Sequence, residues 1–331
     1  LMIRRPPRAT LDRSSAASDV YKRQDKDSGK AIPHFDRDSI SLILKEAQRR
    51  SGRRGKLSLR LRELGGLVRI AGDLAAEESA ELTRSIHVTR AREIAKPLEQ
   101  QVADRYLERQ SEYALLVNRG HRIGRVNGLA VLGAASGLSD YSGVVLPVEA
   151  MVTPAQGMSG RVIATGGLSD LANESVTNIS AVIKKLTGKD IKDYDLHVQF
   201  PGTHNVDGDS ASITMATAII SAFEGVPIEQ NLAMTGSLSV RGEILPVGGV
   251  TAKIEAAAKS GIEKVVIPRA NLQDVLMDDK WEKKVEVFAV DSLDEVLEHA
   301  LVGAEEKVSL VERLSNVIDT IAKGTDTQPS A

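Results

Sequence analysis

The chain has 331 residues, 43 Lys and Arg against 45 Asp and Glu, a net charge of −2 and no cysteine. At roughly 100–200 residues per domain, this length predicts two or three domains. The balanced charge gives no global reason to expect nucleic acid or an anionic membrane as a partner. The lack of cysteine excludes disulfides, thiolate-bound zinc, iron–sulfur clusters and a cysteine nucleophile. No apolar run approaches the ~18 residues of a membrane-spanning helix.

Residues 1–24 are basic and rich in serine, and they lack the continuous apolar core of a secretory signal. They resemble a translated sequencing-adapter read-through, and we interpret them as a non-native, disordered leader. A mitochondrial-type presequence is the alternative. Under the first interpretation, the parent protein extends upstream and the chain is a C-terminal fragment of it.

Residues 25–99 have the apolar spacing of three or four residues that is typical of amphipathic helices. Helices are predicted over 38–50, from 58 to about 75 and over 81–95, which together form a small all-helical unit. Its surface is basic through Arg49, Arg50, Arg53, Arg54, Lys56, Arg60, Arg62 and Arg69. One hypothesis for this unit is therefore a nucleic-acid-binding module, which salt-dependent affinity would reveal.

Residues 100–124 are charged and are predicted to be a linker. From residue 125 the pattern changes to short apolar runs bounded by glycine, which is typical of strands. Strands are predicted at 128–133, 143–150, 160–165, 195–200, 238–245, 264–268 and 285–290, with a turn at 241–242 inside the fifth of them. Helices are predicted at 168–186, 211–223, 250–259, 271–277 and 293–301. This alternation predicts an α/β or α+β domain over 125–302, with a helix and a disordered tail in 303–331.

Several motifs that would define a catalytic class are absent from the sequence. It has no phosphate-binding loop of the type GxxxxGK[ST], no HExxH zinc motif and no GxSxG nucleophile elbow. The six histidines are scattered, with no pair at metal-ligand spacing. The sequence therefore predicts no metal site and no nucleotide binding of the phosphate-loop kind.

A loop rich in Pro, Gly, Asn and Asp leads from the predicted strand 195–200 to Asp209 and Ser210, at the start of an apolar helix. One interpretation is an ordinary helix cap, since Ser and Asp are preferred there. The other is a nucleophile, because free backbone amides at a helix start stabilise a developing oxyanion.

Lys253 lies in the apolar, alanine-rich part of the predicted helix 250–259, among Val250, Ile254, Ala256 and Ala257. A lysine on such a helix ordinarily faces solvent. If Lys253 points inward, loss of hydration lowers its pKa and allows the amine to act as a general base. Residue spacing alone does not distinguish these interpretations.

Longer runs of sequence carry a resemblance to a known family. GDSAS at 208–212, MTGSLSVRGEILPVGGVTAKIEAA at 234–257 and KVVIP at 264–268 resemble the proteolytic domain of Lon proteases of the archaeal, membrane-associated B type. RLRELGGLVRIAGD at 60–73 is similar to the α-subdomain, or lid, of that family's AAA+ ATPase module. The resemblance covers about 32–301. It implies an α/β (α+β) Lon proteolytic domain preceded by a small all-helical AAA+ lid subdomain.

The resemblance implies a serine endopeptidase that uses a Ser-Lys dyad. Ser210 is then the nucleophile and Lys253 the base, and Thr235 supplies a hydroxyl that hydrogen-bonds the lysine. Asp207 matches the family's acidic position and would be a regulatory or structural partner. Asp209 directly precedes the serine, where helix capping is the alternative role. A non-proteolytic Lon-like scaffold is the alternative function, against which the presence of these residues counts.

In the lid, the resemblance implies that Arg62, or else Arg60, is a sensor for the nucleotide γ-phosphate. ATP and Mg²⁺ are implied for the longer parent protein, whereas peptide hydrolysis itself is expected to need no cofactor. Implied partners are unfolded or misfolded polypeptides as substrates, further copies in a homo-hexamer, and the AAA+ core of the parent chain. The implied location is intracellular, with the parent anchored at the cytoplasmic side of a membrane.

Overall fold

The computed structural model describes residues 32–96, 98–113, 115–132, 142–155, 160, 162–165, 179, 184, 193–201, 209–303, 310–312 and 315. Two compact units are present. One holds residues 32–51 and 57–96, and the other holds residues 52–56 and the described residues after 96. The leader 1–24, most of the predicted helix 168–186, Asp207 and most of the C-terminal tail lie outside the described residues.

The first unit is mainly helical, as the apolar spacing predicts. Its elements are β1 (His34–Phe35), α1 (Arg37–Ser51), α2 (Leu61–Glu77), β2 (Leu82–Thr83) and α3 (Ser85–Ile94). Leu67 and Ala71 of α2 pack with Val88 and Ala91 of α3 in a small core. The parallel pair of β1 with β2 was not predicted, because two-residue strands are too short to show alternation.

A buried carboxylate neutralises part of the predicted basic surface. Glu46 of α1 contacts Arg49 at 2.9 Å, Arg50 at 2.8 Å and Arg92 at 3.3 Å. Burial opposes ionisation of Glu46, but the hydrogen bonds and positive charges of these arginines outweigh it and lower its pKa to about 2. Arg49 and Arg50 therefore serve the unit's own structure, which weakens the nucleic-acid hypothesis.

The second unit is built on a mixed seven-stranded sheet. Its strands are β4 (Arg125–Leu132), β5 (Ser142–Pro154), β6 (Val162–Thr165), β7 (Tyr194–Gln199), β9 (Leu232–Met234), β12 (Lys264–Pro268) and β13 (Glu286–Val290). Their order across the sheet is β13-β12-β9-β4-β5-β7-β6. β5 is antiparallel to β4 and β7, and the other neighbours are parallel. Two small antiparallel pairs join β3 (His121–Arg122) to β8 (Ile228–Glu229), and β10 (Ser237–Leu238) to β11 (Ile244–Leu245).

The helices of this unit are α4 (Leu98–Glu112), α5 (Ser212–Glu224), α6 (Val250–Lys259), α7 (Asp279–Glu282) and α8 (Leu293–Ala300), with a 3-10 turn at Arg269–Asp274. No helix within the described residues is both long and apolar enough to cross a membrane.

Alternate residues of β5 point to opposite faces of the sheet and meet different helices. Val144 and Val148 lie in the core cluster that contains α5, whereas Val145 lies in the cluster that contains Val250 and Ile254 of α6. The sheet is therefore covered by α5 on one face and by α6 on the other. The helix that follows Ser210 and the helix that carries Lys253 therefore both pack against this one strand.

Residues 100–124 were predicted to be a linker, but much of this segment is helical. α4 places Ala103 in the core cluster of the sheet, with Tyr106 packed against it. The prediction missed the helix because its buried stripe is narrow, with Ala103, Tyr106 and Gln110 spaced at three and four residues within a highly charged sequence.

Gly143 of β5 allows α6 to approach the sheet closely. A Cβ at this position would lie 2.0 Å from the Ala252 carbonyl oxygen and 2.9 Å from the Lys253 nitrogen. Both are backbone atoms of α6, so the whole helix would have to move. The glycine therefore sets the depth at which Lys253 lies.

We expect Gly143→Ala to lower the free energy of unfolding by about 1–3 kcal/mol, the usual cost of overpacking. Because α6 would move, the Lys253 side chain would also lose its hydrogen-bond geometry. Chemical denaturation measures the first effect. Gly248→Ala is the matched control: a Cβ there has no atom within 4 Å, so we expect a change below about 0.5 kcal/mol. Equal stability of the two variants would contradict the prediction.

Candidate active site

Ser210 lies in a turn just before α5. The helix begins at Ser212, and its N-cap residue is Ala211, which has no capping side chain. Among the described residues, neither Ser210 nor Asp209 caps the helix with its side chain, so the capping interpretation is wrong. Ser210 is partly exposed, so its turn is accessible from solvent.

The backbone of Ser210 is fastened to the segment that follows β9. Its carbonyl oxygen accepts a hydrogen bond from the Gly236 N–H at 3.0 Å and another from Thr235 Oγ1 at 3.1 Å. In return, the Ile213 N–H donates to the Gly236 carbonyl at 3.3 Å. These bonds join the turn of Ser210 to the central part of the sheet.

Lys253 points inward from α6 and is only 1% exposed. Its Nζ donates a hydrogen bond to Thr235 Oγ1 at 2.9 Å. Burial lowers the pKa of Lys253 to about 8, and the negative charge of Asp209 opposes this by raising it. The structure therefore has the inward-facing lysine of the two alternatives that the sequence left open.

Thr235 connects the lysine to the serine. Its hydroxyl has one proton, which the bond to the Ser210 carbonyl uses, so Thr235 Oγ1 can only accept from Lys253. A neutral Lys253 then spends one N–H on Thr235 and keeps its nitrogen lone pair free. Between described residues there is no direct hydrogen bond from Ser210 Oγ to Lys253 Nζ. Catalytic hydrogen bonds are often long without substrate and tighten in the complex.

Two further serines belong to the site, and the sequence analysis did not single them out. Ser212 Oγ donates to the Asp209 carbonyl at 2.6 Å and accepts from the Leu238 N–H at 2.7 Å. Ser237 Oγ donates to Asp209 Oδ2 at 2.6 Å. The signal was present in the alternate serines of GDSAS and TGSLS, but hydroxyl contacts between distant segments have no sequence pattern.

The two predicted sensor arginines lie in the first unit, at the start of α2. Arg60 is the N-cap residue of α2 and approaches Glu63 at 3.7 Å, while Arg62 is exposed in the first helical turn. Asp207 lies outside the described residues. Within the described part of the chain, no group of three or more His, Asp or Glu side chains is arranged to hold a metal ion.

Chemically, the site combines a hydroxyl at an exposed turn with a buried amine whose pKa lies near neutrality. An amine of this kind is a competent general base, and a hydroxyl that comes within its hydrogen-bond reach is a competent nucleophile for acyl transfer.

Comparison with known proteins gives matches to both units. Residues 106–303 match the family model described as the Lon protease (S16) C-terminal proteolytic domain. Residues 34–96 match the archaeal LonB AAA+ ATPase LID domain.

Curated relatives match across nearly the whole chain. An Archaeal Lon protease of Thermoplasma acidophilum is 53% identical over 298 residues, which cover 89% of this chain and 45% of the relative. One of Archaeoglobus fulgidus is 54% identical over 288 residues, covering 86% of this chain and 45% of the relative. One of Methanothermobacter thermautotrophicus is 48% identical over 317 residues, covering 95% of this chain and 48% of the relative.

The chain spans about half the length of these relatives. The two family matches follow one another along the chain in the order that the sequence analysis expected, with the lid before the proteolytic domain. The chain thus belongs to the Lon protease (S16) family, and it contains an archaeal LonB-type AAA+ lid domain followed by the Lon proteolytic domain.

Proposed function

We propose that this chain is a serine endopeptidase with a Ser210–Lys253 dyad, the proteolytic part of an ATP-dependent Lon protease. The observation that carries the proposal is the buried Lys253 amine. Its pKa is lowered to about 8, and it is linked through Thr235 to the carbonyl group of Ser210. A lysine exposed on the surface keeps a pKa of about 10.4, so at neutral pH a few hundred-fold less of it is the neutral amine that can accept a proton.

In the proposed reaction, the lone pair of neutral Lys253 accepts the hydroxyl proton of Ser210 while Oγ attacks a peptide carbonyl. The resulting ammonium then gives this proton to the leaving amine, and an ester on Ser210 remains. A water molecule attacks the ester, with Lys253 again accepting and returning the proton. Every step uses the same amine, so no metal ion is needed.

Two backbone amides are suited to stabilise the oxyanion of the tetrahedral intermediate. The N–H groups of Ser212 and Ile213 already donate to backbone carbonyls. Among the described residues, the N–H groups of Ser210 and Ala211 donate to no protein acceptor. We propose these two amides as the oxyanion donors, since unpaired amides at a helix start carry a partial positive charge.

The remaining parts of the proposal concern the longer protein. Its substrates would be unfolded or misfolded polypeptides, and it would assemble as a homo-hexamer. ATP and Mg²⁺ would drive unfolding, and Arg62, with Arg60 as the alternative, would contact the γ-phosphate from the lid. The exposed side chain of Arg62 suits contact with a nucleotide, but this sequence has no phosphate-binding loop to hold one.

The two alternative functions have less support. A non-proteolytic scaffold gains nothing from a lysine buried beside a serine turn, because burying a charged group costs stability. A nucleic-acid module loses Arg49 and Arg50, which bind the buried carboxylate of Glu46.

The test is labelling of the purified chain with a fluorophosphonate, which reacts with an activated serine. We expect covalent labelling at Ser210 whose rate rises with pH through an apparent pKa of about 8, because only neutral Lys253 accepts the proton. The rate should level off above that value. Lys253→Ala should abolish the labelling. A rate that climbs steadily to pH 10, or labelling that survives in the variant, would contradict the proposed dyad.

A further inference from the structure

Ser237 holds the carboxylate of Asp209 beside the proposed dyad. Its Oγ lies 2.6 Å from Asp209 Oδ2, at the short end of hydrogen bonds to a charged acceptor. Ser237 is only 5% exposed, whereas Asp209 is exposed. A fixed, buried hydroxyl therefore restrains a carboxylate that would otherwise be free to turn in solvent.

The Asp209 carboxylate acts on Lys253 through its charge and not through contact. Its field raises the pKa of the lysine, yet the hydrogen bond of Lys253 Nζ goes to Thr235. A carboxylate in direct contact with the amine would hold the proton more strongly still, because an opposite charge within ~4–6 Å favours the ammonium form. The distance that separates Asp209 from Lys253 therefore matters for base catalysis.

Few other charged groups face Lys253 within the described part of the chain. Residues 142–148 of β5, which pack under α6, contain no ionisable side chain. Glu255 lies two residues after Lys253 on α6, and this spacing places the two side chains on different sides of the helix. Asp274, in the 3-10 turn next to α6, accepts a hydrogen bond from Asn271. Of these charged groups, Asp209 is the one that affects the pKa of Lys253.

We propose that Ser237 is a positioning residue for the dyad: its hydroxyl anchors the Asp209 carboxylate and so keeps it out of a direct ion pair with the Lys253 ammonium. This inference rests on the proposed function. In this role Ser237 acts entirely through Asp209. Substituting Ser237 should therefore have no further effect on Lys253 once Asp209 has been replaced.

The direction of the effect follows from the charges. Without the Ser237 hydroxyl, Asp209 is free to move and is attracted to the ammonium, which raises the pKa of Lys253. Replacing Asp209 by Asn removes the charge and lowers the pKa of Lys253. With Asn at position 209 there is no carboxylate to restrain, so loss of the Ser237 hydroxyl should no longer affect the lysine.

The experiment measures the titration of Lys253 directly, by NMR of the chain labelled with ¹³C at the lysine ε carbon. The Lys253 signal is assigned as the one lost in Lys253→Met. Four proteins are compared: wild type, Ser237→Ala, Asp209→Asn and the double variant. Ser239→Ala is the matched control, because this serine lies in the same hairpin and its hydroxyl accepts from the Arg241 and Glu243 amides, away from Asp209.

We expect Ser237→Ala to move the Lys253 midpoint upward by about half a pH unit, a modest shift because Asp209 is exposed to solvent. Asp209→Asn should move it downward, the double variant should match Asp209→Asn, and Ser239→Ala should match wild type. Fluorophosphonate labelling of Ser210 should shift along the pH axis in the same way.

An unchanged or lowered midpoint in Ser237→Ala would overturn the inference, as would an equal effect of this substitution with Asp or Asn at position 209. A purely structural role for Ser237 predicts slower labelling in both backgrounds with no change of midpoint. Failure of the proposed function looks different. In that case the wild-type chain is not labelled at Ser210, whatever the NMR titrations of Lys253 show.

Discussion

Ser210→Ala should reduce peptide cleavage by at least ~10³-fold while leaving the domain folded. Loss of a nucleophilic serine removes the covalent step, and enzymes with such nucleophiles lose that much or more. The fold should survive because the contacts of Ser210 described above are made by its backbone carbonyl, which alanine retains. We expect the free energy of unfolding to change by less than about 0.5 kcal/mol.

The measurement is hydrolysis of a fluorogenic peptide, combined with chemical denaturation of the same preparations. Ser260→Ala is a matched control at the end of α6, because its hydroxyl is buried without a hydrogen-bond partner in the described structure. It should keep both activity and stability. If Ser210→Ala retained more than a few per cent of wild-type turnover, another residue would be the nucleophile.

Lys253→Met should abolish activity and at the same time make the protein more stable at neutral pH. Holding the pKa of Lys253 near 8 means that the folded state buries the ammonium at a cost on the order of 3 kcal/mol. Methionine fills a similar volume without the charge. It forfeits the hydrogen bond to Thr235, worth about 1 kcal/mol. The net gain in the free energy of unfolding is therefore about 2 kcal/mol at pH 7.

This gain should depend on pH in a defined direction. The pKa of Lys253 is lower in the folded chain, about 8, than in the unfolded chain, so the unfolded chain binds more protons between pH 8 and about 10.5. Wild-type stability therefore rises through this window relative to the variant. Below pH 8 both the folded and the unfolded chain hold the Lys253 proton, so the stability difference between the variant and wild type stays at its full size.

Thermal or chemical denaturation from pH 6 to 10 measures how the stability advantage of Lys253→Met over wild type shrinks as the pH rises. Lys259→Met is the control on the same helix: Lys259 pairs with Asp104 at 2.7 Å near the surface, and its loss should cost at most about 1 kcal/mol. A Lys253→Met protein that is less stable than wild type at pH 7 would show that the ammonium is well accommodated. Burial would then not lower the pKa of Lys253, and the lysine would be a poor base at neutral pH.

The sequence predicted those elements whose pattern is local and strong. α6 and β12 have the predicted bounds, and α5 differs from its prediction by one residue at each end. The turn predicted at 241–242 separates β10 from β11. In each case an apolar run or helical spacing is bounded by Gly, Pro or charged residues, so the local pattern and the tertiary packing agree.

Other features depended on contacts that no local pattern carries. β9 is three residues long, and it lies inside the sheet because β4 and β12 pair with it from either side. For the site, the sequence alone left Lys253 as either exposed or buried, and its resemblance to a family supplied the dyad. Ser237 stayed unnoticed because its partner, Asp209, lies 28 positions away.

The strand β5 supports both α5 and α6, one on each face, so the proposed dyad is complete only when both layers are closed. If the layer containing α6 opens, Lys253 returns to water and regains its ordinary pKa of about 10.4, so the neutral amine becomes far scarcer at neutral pH. If the layer containing α5 opens, the Ser210 turn loses its anchor. Under the proposed mechanism, a nascent or damaged copy would therefore lack an active dyad, because the core that keeps the chain folded is also what holds Ser210 and Lys253 in place.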